Sequence, residues 1–273
     1  MRKIGVSACG FALTEENFFD LKKSGLSAIE ICRQPGEYDD INYGEIKTFA
    51  ERYGINLWSF HLPFWPFTKI DISSPDKELR KGSVEYLSEF IKNAADIGID
   101  KFVIHSSGEW KDGSLRSERM KCAKDTLCRL AEIAASCGGM IAVEDLPRTC
   151  LGNSSQEIAE LISADDRLRV CFDTNHLLKE DNMEFMDKLG DKIITVHVSD
   201  YDFVDEKHWL PGEGKNDWQA MMKKFDEIGY SGAWIYEMGL KSPEKLGRSR
   251  DLVFEDFYNN AMSLFAGKIP KKI

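Results

Sequence analysis

The residues best suited to chemistry in this chain are its histidines and the carboxylates that close short apolar runs. There are five histidines: His61, His105, His176, His197 and His208. Three of them end a run, in Ser59-Phe60-His61, Val103-Ile104-His105 and Thr195-Val196-His197. Three more runs end on a carboxylate, in Ala142-Val143-Glu144, Cys171-Phe172-Asp173 and Ile235-Tyr236-Glu237. His176 and His208 lie just after a run. A single Asp or Glu in such a place reads as a helix N-cap or an ion-pair partner. Six runs with the same ending call for a common cause. Carboxylates that converge on one point raise each other's pKa by repulsion, and a divalent cation removes that conflict. Mixed His and carboxylate ligands suit Zn²⁺, Mn²⁺, Co²⁺ or Fe²⁺; Mg²⁺ suits them less, and Ca²⁺ prefers all-oxygen sites.

These ends can meet only if the elements behind them are arranged to bring them together. Read as strands, the runs are Lys3–Ala8, Ala28–Cys32, Asn56–His61, Lys101–His105, Met140–Asp145, Arg169–Asp173, Ile193–Ser199 and Ala233–Glu237. Runs apolar on both faces suit a parallel sheet covered by helices. Helical spacing connects Leu79, Tyr86, Leu87, Phe90, Ile91 and Ala94, and likewise Met120, Ala123, Leu127, Leu130, Ala131 and Ala134. Glycine-containing stops precede several runs, at Ser24-Gly25, Tyr53-Gly54, Ile97-Gly98, Gly138-Gly139 and Tyr230-Ser231-Gly232. Eight β–α units without a linker predict an α/β protein: one (β/α)8 TIM-barrel domain over residues 1–273. A doubly wound sheet is the alternative, but no Gly-x-Gly-x-x-Gly follows the first run. In a barrel, functional residues gather at the C-terminal strand ends, where these polar endings fall.

Composition agrees. The 273 residues are 42% hydrophobic and 30% charged, which excludes global disorder. The net charge is −10, and no basic stripe offers a path for a phosphate backbone, so nucleic acid is a disfavoured partner. The seven cysteines are scattered without Cys-x-x-Cys, as reduced thiols are in a cytoplasmic protein. Val6-Ser7-Ala8-Cys9 follows too short an apolar run to be a lipoprotein signal. No stretch approaches the ~20 apolar residues of a membrane span.

The stretches "SFHLPF" (59–64), "VIHSSGE" (103–109), "IAVEDLP" (141–147), "CFDTNH" (171–176), "VHVSD" (196–200), "HWLPGEGKNDW" (208–218) and "IYEMG" (235–239) occur in order along the chain. With them the chain resembles the xylose isomerase-like TIM-barrel superfamily, and specifically its sugar phosphate isomerase/epimerase proteins, grouped with the apurinic endonuclease family. The resemblance implies a metal-dependent isomerase or epimerase acting on a sugar or sugar phosphate. It implies Glu144, Asp173, His197 and Glu237 as ligands of one metal, with Glu144 and Glu237 also as the acid/base pair. It places His176 against substrate oxygen. Such a metal acidifies the carbon between a carbonyl and a hydroxyl, and the two carboxylates relay the proton through an enediolate.

The endonuclease branch implies instead a zinc phosphodiesterase with three metals. Its ligands would be His61, His105, Glu144, Asp173, His176, His197, Glu206, His208 and Glu237, with Glu206 where that branch usually has Asp. Other possibilities on the same site are a dehydratase or hydrolase of a related polyol. The acidic charge, the loop "HWLPGEGKNDW" and the rim aromatics Phe64, Trp65, Phe67, Trp110 and Trp209 favour the sugar reading. Trp65, Trp110 and Arg148 are weaker candidates for substrate contact, and Arg33 and Arg148 could meet an anion. Ketohexose epimerases carry Arg six residues beyond the strand-seven histidine, where this chain has Phe203. That departure argues against ketohexose 3-epimerisation in its usual geometry. Homo-oligomers are common in families of this kind.

Overall fold

The computed structural model describes residues 2–273. Eight strands alternate with eight helices: β1 Ile4–Ser7, α1 Glu15–Ser24, β2 Ala28–Ile31, α2 Tyr43–Tyr53, β3 Asn56–His61, α3 Lys77–Asp96, β4 Lys101–Ile104, α4 Arg116–Ser136. The second half is β5 Met140–Glu144, α5 Ser155–Ile162, β6 Arg169–Asp173, α6 Asn182–Leu189, β7 Ile193–Val198, α7 Trp218–Glu227, β8 Trp234–Tyr236 and α8 Phe254–Phe265. All strand pairs are parallel, and β1 pairs β8 to close the barrel in sequence order. The predicted (β/α)8 architecture is therefore present, with several ladders ending a residue earlier than the apolar runs.

The local chemistry explains the boundaries. Thr14, Asn42, Asp76, Ser154, Asp181 and Asp217 each accept a hydrogen bond from the first turn of the helix they precede. Gly25 and Gly54 end α1 and α2 in the left-handed conformation. The stop after α7 falls at Gly229 (φ 70°) rather than at Ser231-Gly232, because Gly229 is the residue that takes the left-handed turn.

Strand phase decides which residues can meet. The outer faces pack on the helices in one large core that includes Phe60, Phe102, Ile104, Phe172 and Val196. The inner face holds small apolar groups low in the barrel, such as Ala28 with Ala233 and Ile235, and Val103 with Ala142 and Cys171. Two residues further along each strand, the inward positions are Glu30, Glu144, Asp173 and Glu237. Two strands carry an extra residue. The β2–β3 register passes from Ile29↔Leu57 to Glu30↔Ser59, so Trp58 is unpaired. The β6–β7 register passes from Val170↔Ile193 to Cys171↔Thr195, so Ile194 is unpaired. These bulges set Ser59 opposite Glu30, and His197 opposite Asp173.

Candidate active site

At the C-terminal mouth, Glu144, Asp173, His197 and Glu237 each present a ligand atom, all within 4.8 Å of one another. They come from the ends of β5, β6 and β7 and from the residue after β8. His197 Nδ1 is the hub: it lies 2.7 Å from Glu144 Oε1, 3.4 Å from Glu237 Oε2 and 4.0 Å from Asp173 Oδ2. Glu144, Asp173 and His197 are fully buried, and Glu237 is open towards solvent on one side. Asp173 caps no helix; its Oδ1 accepts the Asn175 N–H (2.8 Å), and Asp181 starts α6 instead.

Burial raises the Asp173 carboxyl to about 6 and also raises Glu237. Burial opposes charge on Glu144 as well, but His197 and His105 hold it well below the usual carboxylate range. His197 is held well above the ordinary histidine range despite burial, by Cys171, Glu237, Glu30 and Glu144. The four groups fit a divalent cation. Their donor set is mixed His and carboxylate, and Asp173 Oδ2 is buried without a hydrogen-bond partner. Uncompensated buried carboxylate oxygen is costly, and a cation would satisfy it.

The other predicted histidines surround this centre. His61 Nε2 (3.2 Å) and His105 Nε2 (3.0 Å) both face Glu144 Oε2. His61 Nδ1 donates to the Leu62 carbonyl at 3.0 Å, so both its nitrogens face acceptors. Burial resists charge there, yet Glu144 lifts the imidazole to about 9. His176 Nδ1 donates to the Asp145 carbonyl at 2.8 Å, leaving Nε2 at 3.6 Å from Asp173 Oδ2 and 3.5 Å from Glu206 Oε2. His208 Nδ1 donates to the Glu237 carbonyl at 2.9 Å. Three further sets could each hold an ion: His61 with His105 and Glu144, His176 with Glu206 and His208, and His197 with Glu144 and Cys171.

A cavity of about 520 Å³ opens above these groups. His61, His105, His176, Glu206, His208 and Glu237 reach it from below, and Phe64, Phe67, Leu146 and Pro147 form an apolar wall. Phe64 stacks on His105, with ring centres 4.1 Å apart. Trp65 and Trp110, expected at the substrate, are not on the lining. Trp65 is 49% exposed, and Trp110 packs under the Arg119 guanidinium, 3.8 Å from its ring centre. Arg148 does line the cavity, but it is bound to Glu109, Asp205 (2.7 Å) and Glu206 (2.9 Å). Arg33 pairs with Glu37 at 2.6 Å.

Two buried carboxylates were missed. Glu30, inside β2, lies under the hub with His197 Nε2 at 3.0 Å. Asp145, just past β5, accepts the Asp173 N–H at 2.7 Å, and burial next to Asp173 pushes its carboxyl well above the usual range. Glu30 had a legible signal: it is the one charged residue inside "AIEI", in phase with inward Ala28.

A family model described as the xylose isomerase-like TIM barrel matches residues 18–254. The chain belongs to that family. An uncharacterised protein of Methanocaldococcus jannaschii is 30% identical over 70% of this chain and 70% of its own. The D-psicose 3-epimerase of Ruminiclostridium cellulolyticum is 25% identical over 88% of this chain and 82% of its own. Among solved structures, a D-tagatose 3-epimerase-like protein superposes with a TM-score of 0.76 at 25% identity, covering 89% of this chain and 92% of that one. Sugar epimerases are therefore among this xylose isomerase-like chain's relatives. In it, the position where ketohexose epimerases carry Arg is Phe203, which has φ 63°, is 41% exposed and packs on Tyr201 with ring centres 4.6 Å apart. It brings no charge to the mouth.

Proposed function

We propose that this protein is a divalent-metal-dependent isomerase or epimerase of an uncharged sugar. The observation that carries the proposal is the convergence of Glu144, Asp173, His197 and Glu237 beneath a cavity of about 520 Å³. These four residues would hold the ion, one of Zn²⁺, Mn²⁺, Co²⁺ or Fe²⁺. When bound, it supplies Lewis-acid polarisation of neighbouring carbonyl and hydroxyl oxygens. Glu144 takes the proton from the carbon between them, and Glu237, the more open of the two, returns one from the other side. His61 and His105 orient Glu144 through Oε2. His176 Nε2 faces the cavity, fixed by its Nδ1 bond, and accepts from a sugar hydroxyl. The apolar wall packs against sugar C–H faces and excludes water. Both arginines on the lining are already paired, which favours an uncharged sugar over a phosphorylated one. The buried unpaired thiols suit a reducing, cytoplasmic setting.

A second reading, a zinc phosphodiesterase with three ions, is favoured by the two flanking His-rich sets. Against it, Arg148 already neutralises Glu206.

Protein purified without added metal should carry close to one divalent ion per chain, and it should exchange solvent deuterium into a ketose or aldose. Glu144→Gln and Glu237→Gln should each lower that exchange by about 10²–10⁴-fold while leaving circular dichroism unchanged. Retained exchange in both variants would exclude this mechanism. Close to three zinc ions with cleavage of abasic duplex would replace it with the second reading.

A further inference from the structure

We infer that Glu30 is the positioning residue that fixes the tautomer of His197 and thereby makes Nδ1 the metal-binding atom. This rests on the proposed metal reading and goes beyond it, because Glu30 lies outside the four-residue set. His197 has two ring nitrogens with different surroundings. Nδ1 faces Glu144, Glu237 and Asp173 at 2.7, 3.4 and 4.0 Å. Nε2 faces the Glu30 carboxylate, 3.0 Å from each of its oxygens, and hydrogen-bonds Oε2. Both nitrogens face carboxylates, which only accept, so each draws a proton in the empty centre; an ion would displace the one on Nδ1, while Glu30 holds the one on Nε2. The lone pair of Nδ1 is then free for an ion once the imidazole is neutral. A ring protonated on Nδ1 instead would donate to Glu144 and block the centre.

The barrel is built to hold Glu30 in that place. The Trp58 bulge brings Ser59 opposite Glu30, and the Ser59 hydroxyl donates to Glu30 Oε2 at 2.7 Å. Glu30 and His197 are both fully buried, above the apolar layer of Ala28, Ala233 and Ile235. A carboxylate placed there for packing alone would be costly, since an apolar side chain of similar size fills the space without desolvating a charge. Carboxylate–histidine–metal arrangements orient the ring and raise ligand basicity, and their loss typically weakens metal binding about 10–100-fold.

The test measures cobalt binding without substrate, by competition with a fluorescent chelator, in wild type, Glu30→Gln and Glu30→Asp. It also reads the imidazole ¹⁵N shifts of His197 in the zinc-loaded wild-type protein. We expect Glu30→Gln to bind cobalt about 10–100-fold more weakly. Glu30→Asp should recover part of the loss, and wild-type His197 should carry its proton on Nε2. Wild-type affinity in Glu30→Gln, or a proton on Nδ1 in zinc-loaded wild type, overturns the inference. If Glu30→Gln does not fold, the wild-type spectrum decides alone. A wild-type protein that binds no cobalt overturns the metal reading itself, whereas wild-type binding with no loss in Glu30→Gln overturns only the role of Glu30.

Discussion

Asp173 sits in the least comfortable position of the four central side chains. Burial lifts its carboxyl from 3.8 to about 6. A carboxyl raised on folding contributes stability that is complete below its unfolded pKa and is lost as pH rises through the folded value. In metal-free protein the Asp173 contribution therefore disappears between about pH 4 and pH 6, on the order of 3 kcal/mol. His61, raised from 6.5 to about 9, loses its contribution in a later window, between those two values. The first window is testable by urea denaturation of chelator-treated protein. Asp173→Asn should match wild type near pH 4 and exceed it by on the order of 3 kcal/mol at pH 7. A difference that stays flat across that range would show that Asp173 is not under this strain. Added divalent metal should stabilise wild type increasingly as pH rises through about 6 and should leave Asp173→Asn nearly unmoved. At this scale the sequence was most informative where a polar residue interrupts an apolar run: Glu144, Asp173, His197 and Glu237 all stand at such breaks. Glu30 escaped because it lies inside a run, where only its alternation with Ala28 marks it as inward.

Among the connecting elements, the loop from Ser199 to Asp217 has the clearest internal logic. The buried Asp200 carboxylate accepts from the N–H groups of Tyr201, Gly212, Gly214 and Asn216 and from Trp218 Nε1, at 2.8 to 3.1 Å. The turn Pro211–Lys215 is thus wrapped around a side chain of its own chain. Gly214 is required there, because a Cβ would lie 2.3 Å from Asp200 Oδ1 and from the Tyr201 carbonyl. The same loop carries Glu206 and His208 to the cavity. Asp200→Ala should destabilise the protein by about 3–5 kcal/mol, since it leaves several buried donors unpaired. A loss below about 1 kcal/mol in chemical denaturation would contradict that network. Strands and helices were legible because double-sided burial and 3.6-residue spacing leave a mark in one dimension. The Arg148 cluster was not, since Glu109, Asp205 and Glu206 are brought to it from two other loops only by folding.

Taken whole, the molecule combines a net charge of −10 with a mouth crowded by carboxylates. A phosphate backbone approaching that mouth meets like charge, and counterion release has few cations to draw on. Wild-type protein should therefore show no measurable retention of a duplex containing an abasic site at about 0.15 M salt in a gel-shift assay. Salt-sensitive binding there would favour the phosphodiesterase reading. Among the described residues, no helix is long and apolar enough to cross a membrane. Closure of the sheet in sequence order was legible from eight repeated units, but its phase was not, because the unpaired Trp58 and Ile194 look like ordinary members of their runs.

Those two unpaired residues give the barrel something like a reading frame. Side chains alternate strictly along a strand, so one residue more or less turns everything beyond it to the other face. Ile194 sits just before Thr195 and His197, and Trp58 just before Ser59 and His61. Most exchanges of side chain at either position would leave the histidines aimed inward. Straightening either bulge with all residues kept would turn His61 or His197 towards the helices, whereas deletion of Trp58 or Ile194 itself would restore strict alternation with the histidine still inward. Each bulge is consequently what reconciles the residue count of its strand with the inward aim of its histidine.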